Sequence, residues 1–163
     1  MRVTRPSKDL SNRRKAILDA TWSALSARGP SHLTIRVIAR IAEIDPALIY
    51  HYFSSKTDLL RAAIHIPSEL AGALAEPQLT LGEKFAILES PLFRTWTAAL
   101  LACMADTPEF GSDELKRLVE LLKPGDGLVD QALVLGLLAG RYLYRLEPIF
   151  SASVAEFDGI LCN

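Results

Sequence analysis

The segment DPALIYHYFSSK, Asp45 to Lys56, gathers side chains that can grip a polyanion. Tyr50 and Tyr52 carry hydroxyls that donate to phosphate oxygens, and their rings can rest on a sugar backbone. His51 can hydrogen-bond a base edge or a phosphate, and Lys56 supplies an ammonium. Ala47 and Leu48 are apolar types that touch thymine methyls, and Arg36, upstream, has the forked donors that read a base edge. All of this is recognition chemistry rather than turnover. The chain has no HExxH, no GxSxG and no phosphate-binding loop. His32, His51 and His65 are scattered, with His32 in a polar turn and His65 near a helix end, where surface roles are the default. Cys103 and Cys162 match no metal-ligand spacing. No catalytic site, metal or cofactor is expected.

The charge is divided in a way that fits this chemistry. The 163 residues have a formal net charge of −1, yet residues 1–60 hold 10 Lys/Arg against 5 Asp/Glu, net +5, and residues 61–163 hold 8 against 14, net −6. A basic end on an acidic body is the asymmetry expected when one end meets a polyanion. The chain opens on polar and basic residues with no apolar run, so no signal peptide is expected. Its longest uncharged stretches fall short of the roughly 18 residues of a membrane span. A cytoplasmic protein with no membrane partner follows.

The elements that must position these residues are all helical, because apolar residues recur at helical spacing and nowhere alternate as in a strand. Residues 1–10, with Arg2, Arg5, Pro6 and Lys8, read as a flexible basic arm. A first helix is expected over 12–27, burying Ile17, Ala20, Ala24 and Leu25, and stopped by Arg28-Gly29-Pro30. Thr34 caps a second helix to about Ala42. Asp45 caps a third, with Pro46 at its first position, where a missing N–H costs nothing. Ser54 and Ser55 end it, and Ser55-Lys56-Thr57-Asp58 resembles a capping box opening a fourth. Pro67 and Pro77 flank a loop or a bent helix. Later helices are expected from the capping-box pattern Thr80–Glu83 to about Glu89 and over 91–105, 112–122 and 128–146, with a turn over 123–127 and a short last helix from Ser153.

At 100° per residue, Ile49 and Phe53 fall together as core anchors of the third helix, while the other rings point outward. Leu48 points outward too, which is odd for a solvated face. A two-helix unit with a tight turn presents such a helix to the DNA major groove. A helical hairpin offering an aromatic surface to another protein fits the same residues.

The stretches Ile17–Ala20 to Gly29, Leu33–Ala39, Asp45–Lys56 and Lys56–Leu60 resemble the N-terminal domain of the tetracycline-repressor (TetR/AcrR) family, over about residues 13–64. The pattern Tyr-x-Tyr-Phe-x-x-Lys-x-x-Leu after a turn is far rarer than a generic helix-turn-helix. The resemblance implies a DNA-binding domain over 1–64 with three core helices, and a helical ligand-binding and dimerisation domain over 65–163. It assigns phosphate contacts to Thr34, Tyr50, Tyr52 and Lys56, and base-edge contacts to Arg36, Pro46, Ala47, Leu48 and His51. It implies a homodimeric repressor on a pseudo-palindromic double-stranded operator, released by a small apolar effector. Two positions depart from the family. Glu43 stands where glycine is usual in the turn, at a cost of about 1 kcal/mol if it is left-handed. Asp45 stands where Ser or Thr is common, and its charge repels a nearby phosphate.

The C-terminal part is less distinctive and short for the family; a missing or compressed helix would reduce the pocket, and an absent loop is the other reading. The expected helix 91–105 carries Phe93, Trp96, Leu100, Cys103 and Met104, which suit an apolar effector pocket but also an ordinary core. Residues 128–146 are apolar on most faces and need burial all round. Gly136 and Gly140 would let another helix approach closely, so Leu133, Gly136, Leu137, Gly140 and Leu143 are the expected dimer contacts. A core helix of a monomer is the other reading. An effector-independent architectural DNA-binding protein, a helical interaction module and a ligand carrier also fit parts of the sequence.

Overall fold

The computed structural model describes residues 7–122 and 128–144, with side chains over 10–122 and 132–142. Every element among these residues is helical. The expected turn over 123–127, the last helix from Ser153, Cys162, Arg2 and Arg5 lie outside the described residues.

Helix α1 (Ser7–Arg28) lays Ile17, Ala20, Thr21, Ala24 and Leu25 inward, a spacing that keeps one face of a helix buried. The Thr21 hydroxyl donates to the Ile17 carbonyl at 2.7 Å and so stays satisfied inside. Gly29 ends the helix at φ 69°, where its N–H reaches the Leu25 carbonyl at 2.9 Å. The helix starts at Ser7 rather than near Asn12. Proline can immediately precede a helix, and no further proline or glycine follows Pro6 before residue 29. Lys8 of the expected arm is therefore helical.

Helix α2 (Ile35–Ile41) starts where Thr34 Oγ1 accepts from the Val37 N–H at 3.2 Å. Helix α3 (Pro46–Tyr52) starts where Asp45 accepts from the Ala47 N–H at 2.7 Å, with Pro46 at the first position. It ends one residue early: Phe53 is extended, at φ −137° and ψ 125°, yet 3% exposed. Helix α4 (Lys56–Ile64) is capped by Ser55, but the reciprocal bond is shifted. The Asp58 carboxylate accepts from the N–H of Ser54, not Ser55.

The remaining boundaries move further. Helix α5 (Ser68–Leu74) forms between Pro67 and Pro77. Helix α6 (Leu81–Leu88) carries a complete capping box between Thr80 and Glu83. Helix α7 (Arg94–Asp106) starts three residues late, because Phe93 and Arg94 both donate backward to the Ser90 carbonyl and close a turn first. Helix α8 (Pro108–Leu122) starts four residues early, with Pro108 at its first position. Helix α9 (Leu128–Leu138) gives way to a π-helical turn over Ala139–Tyr144 in place of one uninterrupted α-helix.

Helix α1 packs most extensively on α7, and α4 packs on α1, α7 and α8. The Trp22 indole donates to the Ala63 carbonyl at 2.6 Å, which ties α1 to α4. One buried cluster runs from Ile17 through Trp96 to Leu138 across the junction at residues 64–65. Ile38 and Ala39 anchor α2 in it, and Ile49 and Phe53 anchor α3.

Candidate nucleic-acid interface

Each helix of the reading unit gives few residues to the core and the rest to solvent. Helix α2 buries Ile38 and Ala39, and α3 buries Ile49. Thr34, Arg36, Ala47, Tyr50 and His51 are exposed, with Tyr50 57% open. Pro46, Leu48, Tyr52 and Lys56 are half-buried. The nine residues expected to meet DNA therefore lie on two consecutive helices, their caps and the start of the next. Arg40, missed from the sequence, is exposed one turn beyond Arg36. The i, i+4 spacing of the two arginines was the available signal.

The turn between the helices takes the left-handed form. Glu43 has φ 55°, and the Ile44 N–H reaches back to the Ala39 carbonyl at 3.0 Å, as at a helix end closed by a left-handed residue. A residue with a Cβ there costs about 1 kcal/mol or more relative to its relaxed backbone. The turn keeps its shape and bears the strain.

Two side chains sit differently from the simplest contact scheme. The Tyr52 hydroxyl is buried and has no hydrogen-bond partner among the described residues. Its ring meets His51 edge-on at 5.4 Å between centroids. It must rotate before it can reach a phosphate, whereas Tyr50 need not. The Lys56 ammonium donates to the Pro30 carbonyl at 3.0 Å. Two of its three protons remain for an anion. From behind, the Arg14 guanidinium lies 5.3 Å from the Phe53 ring centre and covers the end of α3.

Residues 17–63 match the family described as bacterial regulatory proteins, tetR family. The HTH-type transcriptional regulator BetI of Rhizobium meliloti is 46% identical over 161 residues, covering 91% of this chain and 75% of that protein. This chain belongs to the TetR family. BetI of Pseudomonas aeruginosa is 36% identical over 70 residues, which span 36% of its length. The solved structure of the multidrug binding protein EbrR in complex with imidazole superposes with a TM-score of 0.59 at 21% identity, covering 93% of this chain and 88% of that one. At that identity the likeness shows the fold alone. The family consists of DNA-binding transcriptional regulators, not enzymes, and its members act as dimers. Among the described residues no helix is long and apolar enough to cross a membrane, and no group of side chains could hold a metal ion.

For a TetR-family protein the expected effector residues sit deep. Trp96 and Leu100 are 0% exposed and Cys103 is 1% exposed, all inside the cluster that α7 shares with α1. Burial pushes the Cys103 thiol up to about 12, with the Asp106 carboxylate adding to the shift. Met104 packs on Gly111, where an added Cβ would lie 2.8 Å from its sulfur. Only Phe93 borders a described cleft, of about 500 Å³, together with Lys15, Asp19, Trp22 and Leu92. A larger groove, of about 1360 Å³, runs between α1, α4 and α8 and includes Trp22, Arg61, Glu114 and Phe110. It contains none of the five expected residues. Their apolar spacing is the same for a core and for a pocket, so the sequence held no signal to separate them.

The expected dimer residues divide. Leu137 and Gly140 are buried within this chain, Leu133 is half-buried and Gly136 is exposed. The side chain of Leu143 lies outside the described residues. Among the described residues the open strip of α9 is instead Ala132, Leu135 and Gly136, continued by the half-buried Ala139, at i, i+3, i+4 and i+7. Leu135 is 42% exposed.

Proposed function

We propose that this TetR-family regulator is a cytoplasmic homodimeric repressor that holds a pseudo-palindromic operator and releases it when a small, largely apolar effector binds. The observation that carries the reading is the exposed face formed by Thr34, Arg36, Ala47, Tyr50 and His51 on a capped helix-turn-helix. Arg36, Ala47, Leu48 and His51 read base edges with Pro46 against them, and Thr34, Tyr50 and Lys56 hold phosphates, while the Tyr52 hydroxyl stays turned inward. Dimerisation through α9 uses Gly136 with Ala132, Leu135 and Ala139. It sets two α3 helices about 34–36 Å apart, one turn of the duplex. The effector acts on that spacing, with a coupling of about 1–3 kcal/mol. Support for an effector comes from the clefts along α1 and from the shared fold with a multidrug binding protein.

The first test is selection of bound duplexes from a random pool, followed by affinity against salt. An inverted repeat with steep salt dependence is expected. Salt-dependent binding without a motif would instead favour an architectural protein, and no binding at low salt would end the DNA reading. The dimer is tested with Gly136→Glu. Among the described residues a Cβ there meets nothing within 4 Å, so the fold should tolerate it. Sedimentation should show monomers with unchanged helical circular dichroism. A dimer that survives would move the interface off α9.

A further inference from the structure

We infer that Asp106, at the far end of α7, is a positioning residue for operator binding that orients Lys56 through a single peptide group. This rests on the proposed reading, in which Lys56 holds a phosphate. Asp106 is 75 residues from Ser31 in sequence, and its Oδ2 accepts the Ser31 backbone N–H at 2.9 Å. The Pro30 carbonyl, at the other end of that same peptide bond, accepts from Lys56 Nζ at 3.0 Å. A peptide group is planar, and its C=O and N–H point in opposite directions. Fixing the N–H therefore fixes the carbonyl. An anion on one end and a cation on the other hold the group along its dipole.

Asp106 fixes this peptide group from its N–H side, while the Leu33 N–H shares the Pro30 oxygen with Lys56 at 3.2 Å; Gly29 donates to Leu25 instead, and Pro30 has no N–H. The carboxylate also lies against the turn, 3.6 Å from where a Cβ of Gly29 would stand. Ser31, through its hydroxyl and its backbone N–H, holds the Asp106 carboxyl below the usual carboxylate value, with His32 and Lys56 adding to the effect. Asp106 is exposed, beyond the buried run of α7 that ends at Cys103. Its contribution is direction, because it points the carbonyl that steers the Lys56 ammonium.

The test uses the full-length protein, a duplex recovered from the random pool, and the variants Asp106→Ala, Asp106→Asn, Lys56→Ala and the double Asp106→Ala/Lys56→Ala. Asp106→Ala should weaken binding by roughly three- to tenfold and expose the Ser31 amide to hydrogen exchange. Asp106→Asn keeps an acceptor oxygen and should restore both. In the Lys56→Ala background, Asp106→Ala should have no further effect, since the two act in series. A purely structural role would lower the melting temperature without that non-additivity. A carboxylate that merely repelled DNA would make both Asp106 variants bind more tightly. Either of those results, or losses that add in the double variant, overturns the inference while leaving the DNA reading intact. If Lys56→Ala binds like the wild type, the inference falls with the phosphate role of Lys56 while the DNA reading stands; if the wild type binds no duplex, both fall together.

Discussion

Helices α3 and α7 use their side chains in opposite proportions. Helix α3 spends one residue, Ile49, on the core and opens Ala47, Tyr50 and His51 to solvent. Helix α7 buries Trp96, Thr97, Ala99, Leu100, Leu101 and Cys103. A helix held by its caps and a single anchor can carry many different contact residues at little cost to folding. A helix that forms the wall of the core cannot. Binding and stability should therefore come apart in the first region and stay locked together in the second.

The largest expected effect tests the locked side. Trp96 is fully buried, so Trp96→Ala should cost about 3–5 kcal/mol in chemical denaturation. Its indole N–H has no acceptor among the described residues, which places the loss toward the lower end of that range. DNA binding should fail only where the protein unfolds. A variant that folds normally but loses DNA would mean that α7 belongs to the reading apparatus itself.

The next effect tests the separable side. Arg36 is exposed, and Arg36→Ala should leave the unfolding midpoint nearly unchanged while costing about 1–3 kcal/mol of operator affinity. The loss should be concentrated at one base position. A uniform loss across all sequences would make Arg36 a phosphate contact.

The same contrast explains which features are legible in the sequence. Caps are local, so Thr34, Asp45-Pro46, Ser55 and Thr80-Glu83 marked their helix starts within a few residues. The outward face of α3 followed from the helical period for Ala47, Tyr50 and His51, but not for Tyr52, expected outward and turned against the core instead. Helix α7 has no capping side chain, and its start was set by a turn at Ser90 that no single residue type announces. Trp96, Leu100 and Cys103 were legible as apolar, but core and pocket ask for the same residue types. On α9 and the π-helical turn after it the faces are separated by what α8 and α7 respectively cover, a tertiary fact. Gly136 and Gly140 thus looked alike in sequence and differ in burial. The Asp106–Ser31 bond joins two turns far apart in the chain, and no periodicity links them.

A smaller effect probes the strain within the reading unit. Glu43 holds φ 55°, so Glu43→Gly should raise stability by about 0.5–1 kcal/mol, the relief of left-handed backbone less the extra freedom of glycine when unfolded. It also removes a negative charge beside the DNA face. Affinity should rise modestly, and more at low salt than at high salt. Loss of affinity would mean that the Glu43 carboxylate contributes a contact of its own.

The smallest effect separates two tyrosines that look equivalent in sequence. The Tyr52 hydroxyl is buried without a partner among the described residues, so the folded protein gains little from it. Tyr52→Phe keeps the ring that packs on the core and on His51 and removes only that hydroxyl. Stability should be unchanged or higher by up to about 1 kcal/mol, because an unsatisfied buried polar group is lost. Duplex affinity should stay within about twofold, a shift near 0.4 kcal/mol. Tyr50→Phe, on the exposed ring, should lose more while leaving the melting temperature alone. If Tyr52→Phe instead costs as much affinity as Tyr50→Phe, the Tyr52 side chain rotates outward on the operator. The contrast between a rigid core and a prearranged surface would then end at α3 itself, with Tyr52 belonging to the core when free and to the DNA when bound.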